Sequence, residues 1–276
     1  MLNLAIIGAG PAALSAAIYA ARAGLSVKVF EQKSYGGVLA EIPLIENYPG
    51  FVGAGSELAQ NICAQAISAG AELSYGECTE VKRLADHFEL TIDDAKIFAR
   101  NVLVATGSRP RALGFKLDVP VSYCALCDGA LAKDQPVAVV GGANSAVQEA
   151  IYLSNLAETV TIITHSQLKA DKSLLAQLQN HPNITVREQT EPTPALLNQF
   201  RRCFVYIGKV PATDFLKAHN VLDESGYIIC ETDSHQTKVS GLFAAGDVRA
   251  GTTKQAITAS ADGAAAAIEI AQKLAR

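Results

Sequence analysis

Cys124-Ala125-Leu126-Cys127, followed directly by Asp128, is the stretch of this chain whose residue types and spacing are best suited to chemistry. Two thiols at this spacing can close into a small disulfide ring that takes up two electrons and gives them back. Asp128 stands beside the second sulfur, where a carboxyl group could handle the accompanying proton. Half of a zinc site is the competing reading, but it needs two further Cys or His at motif spacing, and the chain has none. No metal is expected. A structural use of Asp128, as the cap of the turn that starts at Gly129, is compatible with the chemical one.

The remaining cysteines, Cys63, Cys78, Cys203 and Cys230, lack a close partner and read as small buried side chains in a reducing compartment. At 276 residues with 49% hydrophobic side chains, the chain has room for two domains with separate cores. Its net charge of -4, with no cluster of Lys and Arg, argues against nucleic acid and against a membrane surface as partners. Met1-Leu2-Asn3-Leu4 enters a strand without a basic leader, and no apolar run reaches the length of a membrane span. A cytoplasmic enzyme is expected.

The elements that must position the thiols are announced by glycine turns. Leu4-Ala5-Ile6-Ile7 reads as a buried strand, Gly8-Ala9-Gly10-Pro11-Ala12-Ala13 as a turn, Leu14 to Arg22 as a helix, and Val27 to Phe30 as a second strand ending at Glu31. Strand, glycine turn, helix, strand and acid in this order form a dinucleotide fingerprint. Gly8 permits the tight turn, Gly10 lets a pyrophosphate approach the helix N-terminus, and Glu31 can accept from a ribose hydroxyl. Tyr35 to Leu39 and Glu46 to Phe51 read as one long loop, Ser56 to Gly70 as a helix capped by Ser56, and Leu73 to Leu84 and Phe88 to Ile97 as antiparallel strands. Asn101 to Val104 is a strand entering the turn Ala105-Thr106-Gly107.

After the cysteine pair the opening phrase repeats. Val137 to Val140 leads into Gly141-Gly142-Ala143-Asn144-Ser145-Ala146, a helix from Val147 to Leu156, and a strand from Val160 to Ile163. This second turn is impaired, because Ala143 puts a methyl group where the fingerprint has its second glycine. The strand after it ends in Thr164-His165-Ser166-Gln167, which offers neither an acid for a ribose nor arginines for a 2'-phosphate. Further on come a helix, a short strand Ile184 to Arg187, a proline-rich loop, a strand Phe204 to Gly208, a strand from Gly241 to the Gly246-Asp247 pair, and a long Ala-rich helix to Leu274.

Taken together, these motifs resemble the low-molecular-weight flavin thioredoxin reductases over nearly the whole chain. The resemblance is carried by the first glycine turn, Gly36-Gly37, Glu46-Asn47-Tyr48-Pro49-Gly50-Phe51, Ala105-Thr106-Gly107, Cys124 to Gly129, Gly141 to Ala150, Gly246-Asp247-Val248 and Gln255-Ala256. It implies an α/β fold of two Rossmann-like, three-layer dinucleotide-binding-type domains, the second inserted into the first. Residues 1–112 and 212–276 would form the FAD domain, and 113–211 the inserted pyridine-nucleotide-type domain with the cysteine pair. It further implies a homodimer, a thioredoxin-like protein as substrate, Cys127 as the sulfur beside the flavin, Cys124 as the attacking sulfur, and Asp128 as the acid. The cofactor-binding set expected from fingerprint and resemblance is Gly8, Gly10, Pro11, Ala12, Glu31, Gln32, Gly36, Gly37, Val38, Leu39, Asn47, Val81, Ala105, Thr106, Gly107, Gly246, Asp247, Gln255 and Ala256.

The chain departs from the family around one ligand. Ala143, the run His165-Ser166-Gln167 in place of His-Arg-Arg, and a shortened inserted domain all weaken the NADPH site. The expectation is a thioredoxin reductase-like enzyme reduced by another donor, ferredoxin first, as in variants of the family that lack the nucleotide motifs. NADH or NADPH as donor, a dithiol oxidase that passes electrons to oxygen, and a flavin redox sensor without turnover stay open as alternatives.

Overall fold

A computed structural model describes residues 1–42 and 45–275, with the backbone alone for Leu126 and Cys127. In chain order it contains β1 (Leu2–Ile7), α1 (Pro11–Arg22), β2 (Val27–Glu31), β3 (Ile45–Tyr48), β4 (Phe51–Gly53), α2 (Gly55–Ser68), β5 (Glu72–Tyr75), β6 (Cys78–Arg83), β7 (Phe88–Ile92), β8 (Ala95–Val104) and β9 (Ser108–Pro110). Then follow β10 (Val121–Ser122), α3 (Ala125–Asp128), β11 (Pro136–Val140), α4 (Asn144–Ser154), β12 (Thr159–Ile163), α5 (Lys172–Leu178), β13 (Ile184–Arg187), α6 (Pro194–Leu197), β14 (Arg202–Val205), β15 (Lys209–Pro211), β16 (Leu242–Ala244) and α7 (Ala256–Leu274). The chain divides into two compact units, Met1–Ser108 with Pro211–Arg276, and Arg109–Val210. The inserted stretch so delimited begins four residues before the expected 113 and ends one before 211.

In the first unit β5, β2, β1 and β8 lie side by side and parallel, β8 continues into an antiparallel meander with β7 and β6, and β16 pairs in parallel with the end of β8. Side chains of β1 alternate between the faces, so Leu4 and Ile6 join the core under α1, α2 and α7, while Ala5 and Ile7 join Phe30, Phe88, Leu90 and Val104 on the other side. Burial on both faces is why β1 reads as a continuous apolar run. α1 and α7 touch through small residues, Ala12, Ala13, Ala16 and Ala17 on one, Ala259, Gly263, Ala266 and Ala267 on the other. A Cβ at Gly263 would collide with the backbone carbonyl of Ala12.

Five local expectations are corrected. Ser56 does not cap α2; the cap position is Ala54, whose carbonyl accepts from Glu57 and Leu58, and no side chain takes part. The stretch 73–84 is not one strand, because it breaks at Gly76 into β5, parallel to β2, and β6, antiparallel to β7. The second long strand likewise ends at Ile92, where Asp93 turns with positive φ and β8 begins. The long loop holds a 3-10 turn at Gly37–Glu41 and the hairpin β3–β4. Of the unpaired cysteines, only Cys203 is buried; Cys63, Cys78 and Cys230 are half-buried.

The second unit is a sheet in the order β10, β14, β11, β12, β13, and every pairing among its described residues is parallel. Val137 and Val139 face α4 through Ala146, Ala150 and Leu153, and Ala138 and Val140 face Leu197 and Val205.

α7 is tied to the turn before it by a charged network. Asp262 accepts the Gly246 N–H at 2.6 Å and His235 Nε2 at 3.0 Å, and pairs with Arg249. Glu269 accepts from Ser234 Oγ at 2.6 Å, the His235 N–H at 2.8 Å and Lys273 at 3.0 Å. Burial alone would raise the Glu269 carboxyl, but these donors overcome it and hold it at about 2.

Two outcomes follow from this packing. Gly263→Ala should cost about 2–3 kcal/mol through overpacking at backbone that cannot yield, lowering Tm by roughly 5–10 °C in a thermal melt. An unfolded glutamate ionises near ~4.3, so the Glu269 contribution is complete above about pH 5 and is lost as pH falls toward 2. Glu269→Gln should flatten that acid limb when urea stability is measured across this range.

Candidate active site

At the end of β1 the backbone must reverse into α1, and Gly8 does so at φ +97°, with the Ala105 carbonyl only 2.5 Å from where a Cβ would sit. No larger residue fits there. Gly10 is the cap position of α1, extended, and apart from its chain neighbours no atom of the described residues lies within 4 Å of a would-be Cβ, so the approach to the α1 N-terminus is open. Pro11 fills the first helical position and gives up an N–H that would have no partner in the helix. Glu31, at the end of β2, spans the turn: one oxygen accepts the Ala9 N–H at 2.8 Å, the other the Lys33 N–H at 2.9 Å. Gly36 donates its N–H to the Ala9 carbonyl at 2.8 Å, and a Cβ on Gly37 would lie 3.4 Å from Gly10, so the second loop is folded against the first turn. Val38 is exposed there and Leu39 buried.

The same edge of the sheet receives two more turns. Ala105 donates to Ile7, and the Thr106 hydroxyl donates to Ala212 at 2.8 Å. Ala245 donates to Val104, and Gly246 packs against Ala12 so closely that a Cβ would lie 2.8 Å from the Ala12 methyl. Asp247 follows in a 3-10 turn. Gln255 caps α7 with Thr258 in a capping box, Ala256 is the first residue of that helix, and Asn47 reaches the Gln255 side chain at 3.4 Å. The structure therefore brings together Gly8, Gly10, Pro11, Ala12, Glu31, Gly36, Gly37, Ala105, Thr106 and Gly246 at the carboxyl ends of parallel strands, with Asn47 beside Gln255. Gln32 is exposed one residue past Glu31, and Gly107 follows Thr106 with positive φ. Val81 is buried in one cluster with Ile7 and Phe30, the residues directly before Gly8 and Glu31, and its carbonyl accepts from His219. An open helix N-terminus, glycines that leave no room for a side chain, and a carboxylate one strand away suit a dinucleotide such as FAD.

In the second unit Cys124 is disulfide-bonded, while Cys63, Cys78, Cys203 and Cys230 are free. The Cys127 side chain lies outside the described residues. Burial pushes the Cys78 thiol up to about 12 and Cys203 up to about 11, and raises Cys63 and Cys230 as well, so none of these four is primed to react. Ser122 and Tyr206 hold the cysteine turn: Ser122 Oγ accepts the Cys124 N–H and donates to its carbonyl, each at 3.1 Å, and the Tyr206 hydroxyl accepts the Ala125 N–H at 2.7 Å. Asp128 occupies the cap position of the next turn without a capping hydrogen bond from its side chain.

The repeated turn copies the first in its sterics. A Cβ on Gly141 would collide with the Tyr206 carbonyl, as one on Gly8 would with Ala105. Ala143 takes the place of Gly10 as the helix cap. In front of it the Asn144 amide donates to Asp171 at 2.7 Å, the Asp171 N–H returns to Asn144 at 2.9 Å, and the Lys169 N–H donates to Gly142 at 2.7 Å. Beyond β12, His165 and Gln167 are exposed, and Glu188 accepts the Leu168 N–H at 2.7 Å. Asp171, Glu188, Tyr206, Ser122, Asp262 and Arg249 were absent from the sequence expectations. They sit outside any motif, and only Asp171, beyond the second fingerprint, had a positional hint.

Comparison with known proteins agrees with this geometry. The model of the pyridine nucleotide-disulphide oxidoreductase family matches residues 2–263. The chain is 37% identical to the thioredoxin reductase of Treponema pallidum over 292 aligned positions, covering 96% of this chain and 94% of that one. The crystal structure of Lactococcus lactis thioredoxin reductase superposes with a TM-score of 0.87 at 30% identity, covering 100% of this chain and 99% of that one. That of T. acidophilum thioredoxin reductase gives 0.87 at 32%, with 100% and 99% covered. The chain belongs to the pyridine nucleotide-disulphide oxidoreductase family, as a low-molecular-weight, thioredoxin reductase-like FAD-dependent disulfide oxidoreductase.

Proposed function

We propose that this cytoplasmic, homodimeric enzyme carries electrons from FAD to a Cys124–Cys127 disulfide and on to a thioredoxin-like protein, and that NADPH is not its donor. Residues 1–112 and 212–276 hold the FAD, and 113–211 carry the cysteines. Bound FAD supplies a store for two electrons; the rest is done by the chain. Gly8, Gly10 and the α1 N-terminus take the pyrophosphate, Glu31 a ribose hydroxyl, and Asp247 the ribityl chain. Reduction converts the Cys124–Cys127 bond into two thiols. Cys124 then attacks one sulfur of the partner's disulfide, that S–S bond breaks, and the departing thiolate takes a proton supplied by Asp128. Cys127 next attacks the sulfur of Cys124, which releases the partner as a dithiol and restores the internal disulfide.

The observation that carries the choice of donor is the second glycine turn. Ala143 replaces a glycine there, Asp171 places a carboxylate against the first residue of α4, and Glu188 places another beyond β12. Both repel phosphate. Without an arginine fork a 2'-phosphate also loses charge-assisted hydrogen bonds of roughly 1.5–3 kcal/mol each. Ferredoxin, which needs no nucleotide site, is the proposed donor.

The anaerobic FAD-loaded enzyme should stay yellow in micromolar NADPH or NADH and bleach with reduced ferredoxin, then reduce thioredoxin; rapid bleaching by NADPH would reject the choice of donor. Cys127→Ser should retain FAD, read from its visible spectrum, and lose thioredoxin reduction by more than about 1,000-fold, since a lone thiol cannot restore the disulfide. Retained turnover would refute the assigned roles.

A further inference from the structure

Asp247 stands in the middle of the 3-10 turn Gly246–Val248, and one carboxylate on α7 is tied to both sides of that turn. Asp262 Oδ2 accepts the Gly246 N–H at 2.6 Å, while Oδ1 pairs with the Arg249 guanidinium and lies 3.0 Å from His235 Nε2. The place of Asp262 is itself fixed, because Gly263 beside it meets the Ala12 carbonyl where no Cβ would fit. Within the turn, the Arg249 N–H and the Thr252 hydroxyl donate to the Gly246 carbonyl at 3.0 and 3.3 Å, so the segment is held as one piece. Resting on the FAD reading above, we propose that Asp262 is a positioning residue that holds Asp247 at the ribityl half of the cofactor, acting through the turn, and so sets the affinity for the flavin half separately from that for the adenylate half.

The anchor works only as a carboxylate. Burial alone would raise the Asp262 carboxyl, but His235, the Gly246 N–H and Arg249 together hold it below its ordinary range, so both oxygens serve as acceptors. An amide of the same shape has one acceptor oxygen and one donor nitrogen, and it cannot satisfy the Gly246 N–H and the guanidinium at once. Arg249 has little slack, since its Nε is already buried with no hydrogen-bond partner among the described residues. The pyrophosphate and ribose side of the site is built differently. Gly8 is pressed on the Ala105 carbonyl, and Glu31 is held by the Ala9 and Lys33 N–H groups, with no part played by Asp262. A turn that is not placed in advance has to be ordered by the cofactor on binding, and affinity falls for the ligand that uses it.

The test compares FAD with ADP, which has the adenylate half but no ribityl chain, by calorimetric titration of the full chain stripped of flavin. Asp262→Asn should weaken FAD binding by about tenfold or more and leave ADP binding within about twofold of the wild type. A smaller fall for FAD, or an equal fall for ADP, overturns the proposal, because a merely structural role would loosen both halves. In an Asp247→Ala background the same substitution should change FAD affinity by less than about twofold, since its effect runs through Asp247. A further loss as large as in the wild-type chain overturns it. Amide exchange read by NMR needs no variant: in the flavin-free wild-type chain the Gly246 N–H should exchange at least about a hundredfold more slowly than an exposed glycine amide. Fast exchange that slows only when FAD is added would show that the cofactor, not Asp262, orders the turn. A wild-type chain that takes up no FAD would end the wider reading and this one with it, whereas the outcomes above end only this one.

Discussion

The carbonyl of Ala12 and the missing side chain of Gly263 meet where no other atom could be accommodated, and the first unit depends on that meeting. Because α7 can lie directly on α1, the turn that precedes α7 comes to rest on Ala12, and the Gly246–Asp247 pair reaches the open end of α1. Chain from the two extremes of the sequence thus converges on one N-terminus. The Asp262 carboxylate then locks the arrangement by taking the Gly246 N–H and pairing with Arg249 and His235. Hydrophobic burial gathers these helices, but the absence of a few methyl groups decides how they lie.

The same steric rule is used twice with different results. Gly8 and Gly141 both press against the carbonyl of a strand end, so both turns have the geometry of a dinucleotide fold. After that the two diverge. The first leaves its helix N-terminus open beside Glu31, whereas the second carries Ala143 and is faced by Asp171 held on Asn144. One backbone plan can therefore keep its shape while the space in front of its helix is open in one copy and faced by a carboxylate in the other, which is why fold alone does not name an electron donor.

Much of this architecture is legible in residue order. The strand, turn, helix and strand of β1, α1 and β2 were readable because buried parallel strands are continuous apolar runs and the turn between them admits glycine only at Gly8. The strand Ile184–Arg187 and the end of α7 at Leu274 were readable as well. The errors lie where tertiary contact overrides local signal. Ser56 looks like a cap, yet Ala54 is placed at the boundary, its neighbour Gly55 held by the Ile42 carbonyl at 2.7 Å. The run 73–84 alternates throughout, yet Gly76 splits it between two sheet neighbours of opposite direction, a choice that depends on β2 and β7 rather than on the run itself.

For the site the division is similar. Cys124, Cys127, Asp128, the two glycine turns and the Gly246-Asp247 pair announce themselves because their chemistry is local: a ring of two sulfurs, a reversal of the backbone, a helix start. Their supports do not. Tyr206 lies 81 positions from the amide it holds, and Asp262 lies 16 from the Gly246 it anchors. A hydrogen bond across such a separation leaves no pattern in the order of residues, since any donor and acceptor could serve if the fold brought them within 3 Å. Residue type and spacing determined that this chain can bind a dinucleotide and cycle a pair of thiols; only the packing of the folded units decided which hydroxyls and carboxylates surround them, because burial and direction are properties of space and not of sequence.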